Sequence, residues 1–198
     1  MQIVSGAERF ALAGAIAVLL LQCADLGSAL EYRRDLLAAE PWRLLTAHLV
    51  HASWPHAIVN ALAWLALARL LAPELPPARQ AALLASSALG TDLLLWLAAP
   101  EVAWYRGLSA SLHGLSASGA VLWLARPAAD GLRRRLWPAL LLAAVWAKVL
   151  AEQLGAGPIA NEHWLGVTVI TRSHLFGAAS GTLAGLLIAA LRSSHAGT

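Results

Sequence analysis

Long apolar stretches alternate with short polar segments along this chain of 198 residues. A transmembrane helix needs about 20 mostly apolar residues, and six stretches rich in alanine and leucine approach or exceed that length. They cover residues 10–30, 55–72, 79–99, 108–125, 137–155 and 174–192. Because the chain shows no alternating barrel pattern and lipid does not tolerate open sheet edges, these stretches are predicted to be helices. The sequence predicts an all-α membrane protein, with one domain over residues 1–198.

Proline and glycine mark the expected helix ends. These breaks fall at Pro73, Pro76, Pro77, Pro100, Pro127, Asp130, Gly131, Gly155, Gly157 and Pro158. Cytoplasmic loops carry more lysine and arginine than outer loops, and a cytoplasmic N-terminus puts eight loop arginines inside and five outside. The inner set is Arg9, Arg69, Arg79, Arg126, Arg133, Arg134, Arg135 and Arg192, and the outer set is Arg33, Arg34, Arg43, Arg106 and Arg172. Both termini are therefore predicted to be cytoplasmic.

Composition supports the prediction of a membrane protein and indicates which classes of partner to expect. The chain is 59% hydrophobic and 13% charged, whereas a soluble protein is roughly a quarter charged. The net charge of +3 comes from scattered basic residues, so we expect the lipid bilayer as a partner and no nucleic acid. Among the seven histidines, only His48 and His51 lie close in sequence. Without a partnered ligand pattern they predict hydrogen bonding in a loop, and no metal or cofactor is expected.

The second, fourth and sixth spans all run from the outside to the inside in this topology. Their outer ends carry His56 and Asn60, then Ser109, and then His174. These groups are therefore predicted to meet at one depth below the outer surface. A stripe of small residues, Gly177, Gly181 and Gly185, favours close packing of the sixth span on another helix, which would bring His174 towards the fourth span.

These residue types suit nucleophilic catalysis. Serine needs a base to take its proton, and histidine can do so near neutral pH. Ser109 is thus the candidate nucleophile and His174 the candidate base. His56 and Asn60 are four residues apart, so they share a helix face, and with the backbone N–H of Ser109 they could stabilise an oxyanion. We expect no acidic residue to be placed to orient His174, which favours a two-residue dyad.

Other polar residues in the spans leave alternatives open. His113 lies one turn after Ser109 and could stack on His174 or act as another base; the supporting role is favoured. Lys148 and Glu152 are four apart in the fifth span, where charges are costly. They could form an internal ion pair beside the cavity or line a gate for substrate. Asp92 is expected to be a hydrogen-bond partner within the bundle.

Four motifs resemble those of the rhomboid intramembrane serine proteases. Trp42-Arg43 opens a segment similar to the family's first-loop motif, and His56-Ala-Ile-Val-Asn60 is similar to the HxxxN motif of its second helix. Gly107-Leu-Ser109-Ala110 resembles the GxSx motif, and His174 precedes a GxxxG stripe at Gly177 and Gly181. The resemblance implies a rhomboid-like six-helix bundle, a Ser109 and His174 dyad, an oxyanion hole at His56, Asn60 and Ser109, and supporting roles for Gly107, Gly177 and Gly181.

Two departures refine this resemblance. Ala110 replaces a glycine common among relatives, and His113 stands where many relatives have a tyrosine that stacks on the catalytic histidine. The Ser-x-Ser-Leu-His-Gly pattern that starts at Ser109, the short first loop and the bare six-span architecture look most like rhombosortases. That likeness implies a bacterial inner-membrane enzyme whose site opens to the periplasmic side. Its substrates would be transmembrane segments or the C-terminal GlyGly-CTERM tails of exported proteins, and the acyl-enzyme could be resolved by water or by another acceptor amine.

Two functions of other classes are weighed beside proteolysis. A rhomboid pseudoprotease binds and escorts membrane clients, but that class usually lacks the serine or the histidine. A small transporter would be expected to show internal repeats or broken helices, which the sequence does not clearly show. The sequence leaves the oligomeric state undetermined.

Overall fold

The computed structural model describes residues 6–126, 132–157 and 162–196. Its helices are α1 (Gly6–Cys23), α2 (Gly27–Leu30), α3 (Arg43–Thr46), α4 (Trp54–Leu71), α5 (Pro77–Ala98), α6 (Ser109–Leu124), α7 (Leu132–Ala151), α8 (Glu162–Leu165) and α9 (Thr171–Ala196). A π-helical turn at Glu152–Ala156 follows α7. Strands β1 (Tyr32–Arg33) and β2 (Trp104–Tyr105) pair antiparallel. The predicted breaks at Pro127, Asp130, Gly131 and Pro158 lie outside the described residues.

Five helices among the described residues are long and apolar enough to cross a membrane. They cover Gly6–Cys23, Trp54–Leu71, Pro77–Ala98, Arg135–Ala156 and Thr171–Ser194. These helices confirm the prediction of a helical membrane protein. The remaining predicted span corresponds to α6, which has 16 residues and is about 24 Å long, less than the ~30 Å hydrocarbon core. The count of six spans, their orientation and the single domain stay predictions.

The first helix ends earlier than the sequence predicts. The apolar stretch runs to Leu30, but α1 stops at Cys23 and Asp25 adopts a left-handed φ of 50°. Aspartate tolerates that conformation better than most residues, so the chain turns there. The short helix α2 then carries the rest of the apolar stretch, and the prediction of one helix over 10–30 is wrong at its C-terminal end.

Helix α6 lies at the centre of the fold and packs closely on α9. Eleven of its sixteen residues are buried. A Cβ atom at Gly177 would overlap the carbonyl oxygen of Ala110, and one at Gly181 would overlap that of Gly114. The two backbones therefore touch where the glycine stripe was expected to allow close packing.

Two arginines fix the segment before α4, Arg34 by binding α5 and Arg43 by a bond within the segment. The Arg34 guanidinium donates to the carbonyls of Leu95, Trp96 and Ala99 at 2.5, 2.8 and 2.7 Å, so one side chain binds the C-terminal end of α5 through three backbone oxygens. Arg43 donates to the carbonyl of Glu31 at 2.8 Å. These bonds hold the loop that lies beside the start of α6.

A buried hydrogen-bond network joins the same loop to α5 and α6. The Ser111 hydroxyl lies 2.9 Å from Nδ1 of His48, and Nε2 of His48 lies 3.3 Å from Oδ1 of Asp92. All three side chains are buried. The predicted structural roles of His48 and Asp92 agree with these contacts.

Asp92→Ala is expected to lower the free energy of unfolding by about 1–3 kcal/mol, because it leaves a buried His48 N–H without its acceptor. Equilibrium unfolding in detergent measures the change. Asp35→Ala is the matched control, since Asp35 forms an ion pair with Arg33 and its side chain is 63% exposed. Such a pair is worth about 0–1 kcal/mol. Equal losses for the two variants would contradict a stabilising role for the network.

Candidate active site

Ser109 and His174 meet at the adjoining ends of α6 and α9. Ser109 is the first residue of α6, and α9 begins at Thr171, so His174 lies in its first turn. The Ser109 hydroxyl lies 3.0 Å from Nε2 of His174. The His174 residue is 5% exposed. The two side chains singled out by the sequence are therefore in hydrogen-bond contact.

Three contacts fix the backbone just before Ser109. Gly107 N–H donates to the carbonyl of Ala47 at 2.9 Å, and the Tyr105 hydroxyl donates to the carbonyl of Gly107 at 2.5 Å. Burial raises the pKa of Tyr105, which keeps this hydroxyl protonated and able to donate. Leu108 N–H donates to Nε2 of His51 at 3.3 Å.

His51 is suited to this acceptor role because it stays neutral. Burial, with smaller effects from the charges of His56 and His48, lowers the pKa of His51 to about 3. A neutral imidazole has one ring nitrogen without a proton, and that nitrogen can accept the bond from Leu108 N–H. The sequence predicted structural hydrogen bonding for His51, but it did not identify this partner.

Gly107 occupies a position that requires glycine. Its φ is 131°, which side chains rarely adopt. A Cβ atom there would lie 2.7 Å from Cε1 and 2.9 Å from Nε2 of His56. The His56 ring therefore lies against the backbone that leads into Ser109.

One cavity of about 420 Å³ brings the candidate groups together. His56, Asn60, Ser109, His113 and His174 all line it, and most of the other lining side chains are apolar. Asn60 donates to the carbonyl of His56, one turn back, at 2.9 Å. This bond uses one N–H of the amide and leaves the second free for another acceptor. Gly177 and Gly181 contribute through the contact between α6 and α9 instead of lining the cavity.

His113 stacks on His174. The ring centroids are 4.5 Å apart and the planes differ by 20°. Nδ1 of His113 lies 2.7 Å from the backbone carbonyl of Ser109, so this nitrogen must carry the proton. The geometry favours the supporting role over that of a second base, because this contact is to the backbone of Ser109 and not to its hydroxyl.

Glu152 reaches the other side of the His174 ring. Its Oε2 lies 2.8 Å from Nδ1 of His174, and its Oε1 lies 2.6 Å from Nζ of Lys148. The expectation that no acidic residue is placed to orient His174 is wrong. The expected internal ion pair between Lys148 and Glu152 is present, and Lys148 lines the cavity.

The arrangement has the parts that acyl transfer requires. A hydroxyl points at an imidazole nitrogen, and potential hydrogen-bond donors line the same cavity. Among the described residues, no group of three or more His, Cys, Asp or Glu side chains could hold a metal ion.

Apolar helices of spanning length define a multi-pass membrane protein. Residues 38–191 match the family model of the Rhomboid domain. This match covers more than half of the chain, and the protein belongs to the rhomboid family. Members of this family are typically intramembrane serine proteases that act on membrane-protein substrates in the bilayer. No curated protein matches the chain in a sequence comparison.

Proposed function

We propose that this protein is an intramembrane serine endopeptidase in which Ser109 is the nucleophile and His174 the base. The observation that carries the proposal is the 3.0 Å contact between Ser109 Oγ and His174 Nε2 at the wall of a cavity. Membership in the rhomboid family supports the same chemistry. A hydroxyl that already contacts its base needs little rearrangement to react.

The reaction proceeds through an acyl-enzyme. Nε2 of His174 accepts the hydroxyl proton as Ser109 Oγ bonds to the carbonyl carbon of the scissile peptide. The tetrahedral intermediate then collapses, the peptide C–N bond breaks, and the leaving amine takes the proton from His174. Water attacks the ester next and gives a proton to His174; the second intermediate then collapses, the bond from the acyl carbon to Ser109 Oγ breaks, and Oγ takes that proton from His174. Another amine in place of water would transfer the acyl group to that acceptor.

The oxyanion would be held on the side of the cavity formed by α4 and the start of α6. His56 and Asn60 line this side, and the backbone N–H of Ser109 belongs to the first turn of α6, where N–H groups have no partner within the helix. The helix dipole also favours negative charge at this end. These groups are the proposed oxyanion hole.

The substrate class follows from the surroundings of the cavity. Apolar side chains of α4, α6 and α7, including Val59, Leu112 and Val145, line it beside Ser109. A transmembrane segment, or the C-terminal membrane tail of an exported protein, suits such a lining. Glycines near the outer end of that tail would loosen its helix, so an extended stretch could enter the site.

The proposed topology has six spans, with both termini in the cytoplasm of a bacterium and the site open to the periplasmic side of the inner membrane. Within the family, the pattern Ser109-Ala-Ser-Leu-His113-Gly favours the rhombosortase subfamily. The preferred substrate is therefore a GlyGly-CTERM tail.

A reporter with a Gly-Gly membrane tail, co-expressed with the protein, tests this function. We expect wild type to release a shortened reporter whose new end mass spectrometry locates near the glycines, and His174→Ala to release none. A second reporter, with both glycines replaced by leucine, tests the tail preference. Cleavage that survives His174→Ala would contradict the assignment of the base.

Escort of membrane clients is the alternative function. It predicts that wild type and His174→Ala bind a reporter equally and that neither cleaves it. The hydrogen bond between Ser109 and His174 favours the protease, because binding a client does not require an activated hydroxyl.

A further inference from the structure

We infer that Glu152 is a positioning residue that extends the Ser109 and His174 pair into a three-residue relay, with Lys148 as the partner of its carboxylate. This inference rests on the proposed function, because it assigns a role in the same reaction. It departs from the two-residue dyad that the sequence favours, and it gives Glu152 and Lys148 a role in the reaction instead of a role in a substrate gate.

The three side chains form a continuous line of hydrogen-bond contacts. Ser109 Oγ is 3.0 Å from Nε2 of His174, and Nδ1 on the other side of that ring is 2.8 Å from Oε2 of Glu152. A carboxylate can only accept at this position, so it fixes the proton of the neutral ring on Nδ1. Nε2 is then unprotonated and faces the Ser109 hydroxyl, as a base must.

Because both side chains are buried, the Glu152 carboxylate interacts strongly with the charge that His174 acquires. The side chains of Glu152 and His174 are 1% and 7% exposed. When His174 takes the serine proton it becomes an imidazolium in a poorly solvated site, and a charge there is costly unless it is paired. Glu152 provides the opposite charge in direct contact. The interaction is therefore stronger in the transition state than in the resting enzyme, which is the requirement for a gain in rate.

Lys148 explains how a buried carboxylate can remain charged. Its Nζ lies 2.6 Å from Oε1, the oxygen that does not face His174. The same Nζ is 3.4 Å from Nδ1 of His174, so without the carboxylate the lysine would oppose protonation of the ring. Glu152 is thus held between two groups that can both be positive, and each of its oxygens has one partner.

The local backbone places Glu152 where the relay needs it. Helix α7 ends at Ala151, and Glu152 begins a π-helical turn at the end of the span beside the first turn of α9. Such turns recur at functional sites in helices. An ion pair that served only to stabilise α7 would need Lys148 and Glu152, but it would not need the second oxygen to meet His174.

Labelling of Ser109 by a fluorophosphonate tests the relay without knowledge of the natural substrate. The full-length protein in detergent is treated with increasing probe to separate the maximal labelling rate from the concentration that gives half of it. Glu152→Gln is expected to lower the maximal rate about 100-fold or more while the half-saturating concentration changes little, as when a triad loses its carboxylate. Glu152→Asp should restore part of the rate.

Two controls separate positioning from stability. Glu101→Gln removes an exposed carboxylate that pairs with Arg172 near the start of α9, and it should label at the wild-type rate. Lys148→Met combined with Glu152→Gln removes both charges, which relieves the cost of an unpaired lysine. This double variant should unfold near the wild-type temperature and still label slowly.

The outcomes distinguish the inference from the function on which it rests. Equal labelling rates for wild type and Glu152→Gln would overturn the relay and leave the serine protease intact. Recovery of the wild-type rate in the double variant would also overturn it, by showing that the ion pair acts through stability. Failure of wild type to label, or equal labelling of Ser109→Ala, would overturn the proposed function and the relay with it.

Discussion

Ser109→Ala is expected to lower the rate of reporter cleavage by a factor of about 10⁴ to 10⁶, the loss seen when a serine enzyme loses its nucleophile. The fold should be retained, because the change removes one hydroxyl whose contact is with His174. Initial rates of product formation by the purified protein, together with its unfolding midpoint, measure both effects.

Ser118→Ala is the matched control. Ser118 is buried on the same helix, and its hydroxyl donates to the carbonyl of Leu115 at 3.2 Å, outside the cavity lining. We expect this variant to cleave at nearly the wild-type rate. A similar loss of cleavage rate in the two variants would mean that a disturbed α6, and not a missing nucleophile, lowers the rate. Retained cleavage by Ser109→Ala would refute the assignment of Ser109 as the nucleophile.

Gly181→Ala is expected to destabilise the fold by more than about 2 kcal/mol, even though the same change in a free helix stabilises it by about 0.5–1 kcal/mol. The added methyl group would overlap the backbone of Gly114, which cannot rotate away as a side chain can. Helix α9 must then move from α6 and take His174 with it. A displacement of about 1 Å can cost about 100-fold in rate, so labelling of Ser109 should also slow.

Gly185→Ala makes the same change one turn further along α9. Its Cβ would lie 3.0 Å from Cβ of Val121 and 3.1 Å from Cα of Ser118, contacts that a small shift relieves. We expect a change below about 1 kcal/mol in unfolding free energy and near-normal labelling. If Gly181→Ala lowers the unfolding free energy and the labelling rate no more than Gly185→Ala does, the close contact between α6 and α9 is not what positions Ser109 and His174.

Much of this architecture can be predicted from the sequence because lipid restricts the choices. A long apolar stretch in a membrane must become a helix, so the long helices follow from hydropathy alone. The predicted parity of the spans puts Ser109 and His174 at one depth, and the glycine stripe predicts which face of α9 packs closely on another helix. Those three arguments predict that the two side chains lie near each other, and the structure supplies their contact.

The contact of Glu152 with His174 was missed, although the same argument applies to it. The fifth span runs from the inside to the outside in the predicted topology, so its last residues lie at the depth of His174. A charged pair in an apolar span is itself a signal of function. The sequence does not give the rotation of α7 about its axis, however, and that rotation determines whether Glu152 faces His174 or the lipid.

The loop contacts are harder to predict for a different reason. Bonds such as that between Leu108 N–H and His51 join residues that are far apart in sequence and show no periodic pattern. The early end of α1 similarly depends on one residue in the left-handed conformation, Asp25. The apolar stretch around it continues to Leu30, so hydropathy does not mark this end. Hydropathy reports burial in lipid, and it carries little information about where a chain turns at the surface.

The direct contact between the backbones of α6 and α9 has a mechanical consequence. Where two helices meet through long side chains, rotamer changes alter their spacing, but Gly177 and Gly181 place the backbone of α9 directly against the backbone of Ala110 and Gly114, where no side chain intervenes. Ser109 and His174 each lie in the first turn of one of these helices, so the pair should move as one rigid body. A change in lipid thickness or fluidity would then change how often a peptide arrives, and leave the alignment of the two reacting groups nearly constant.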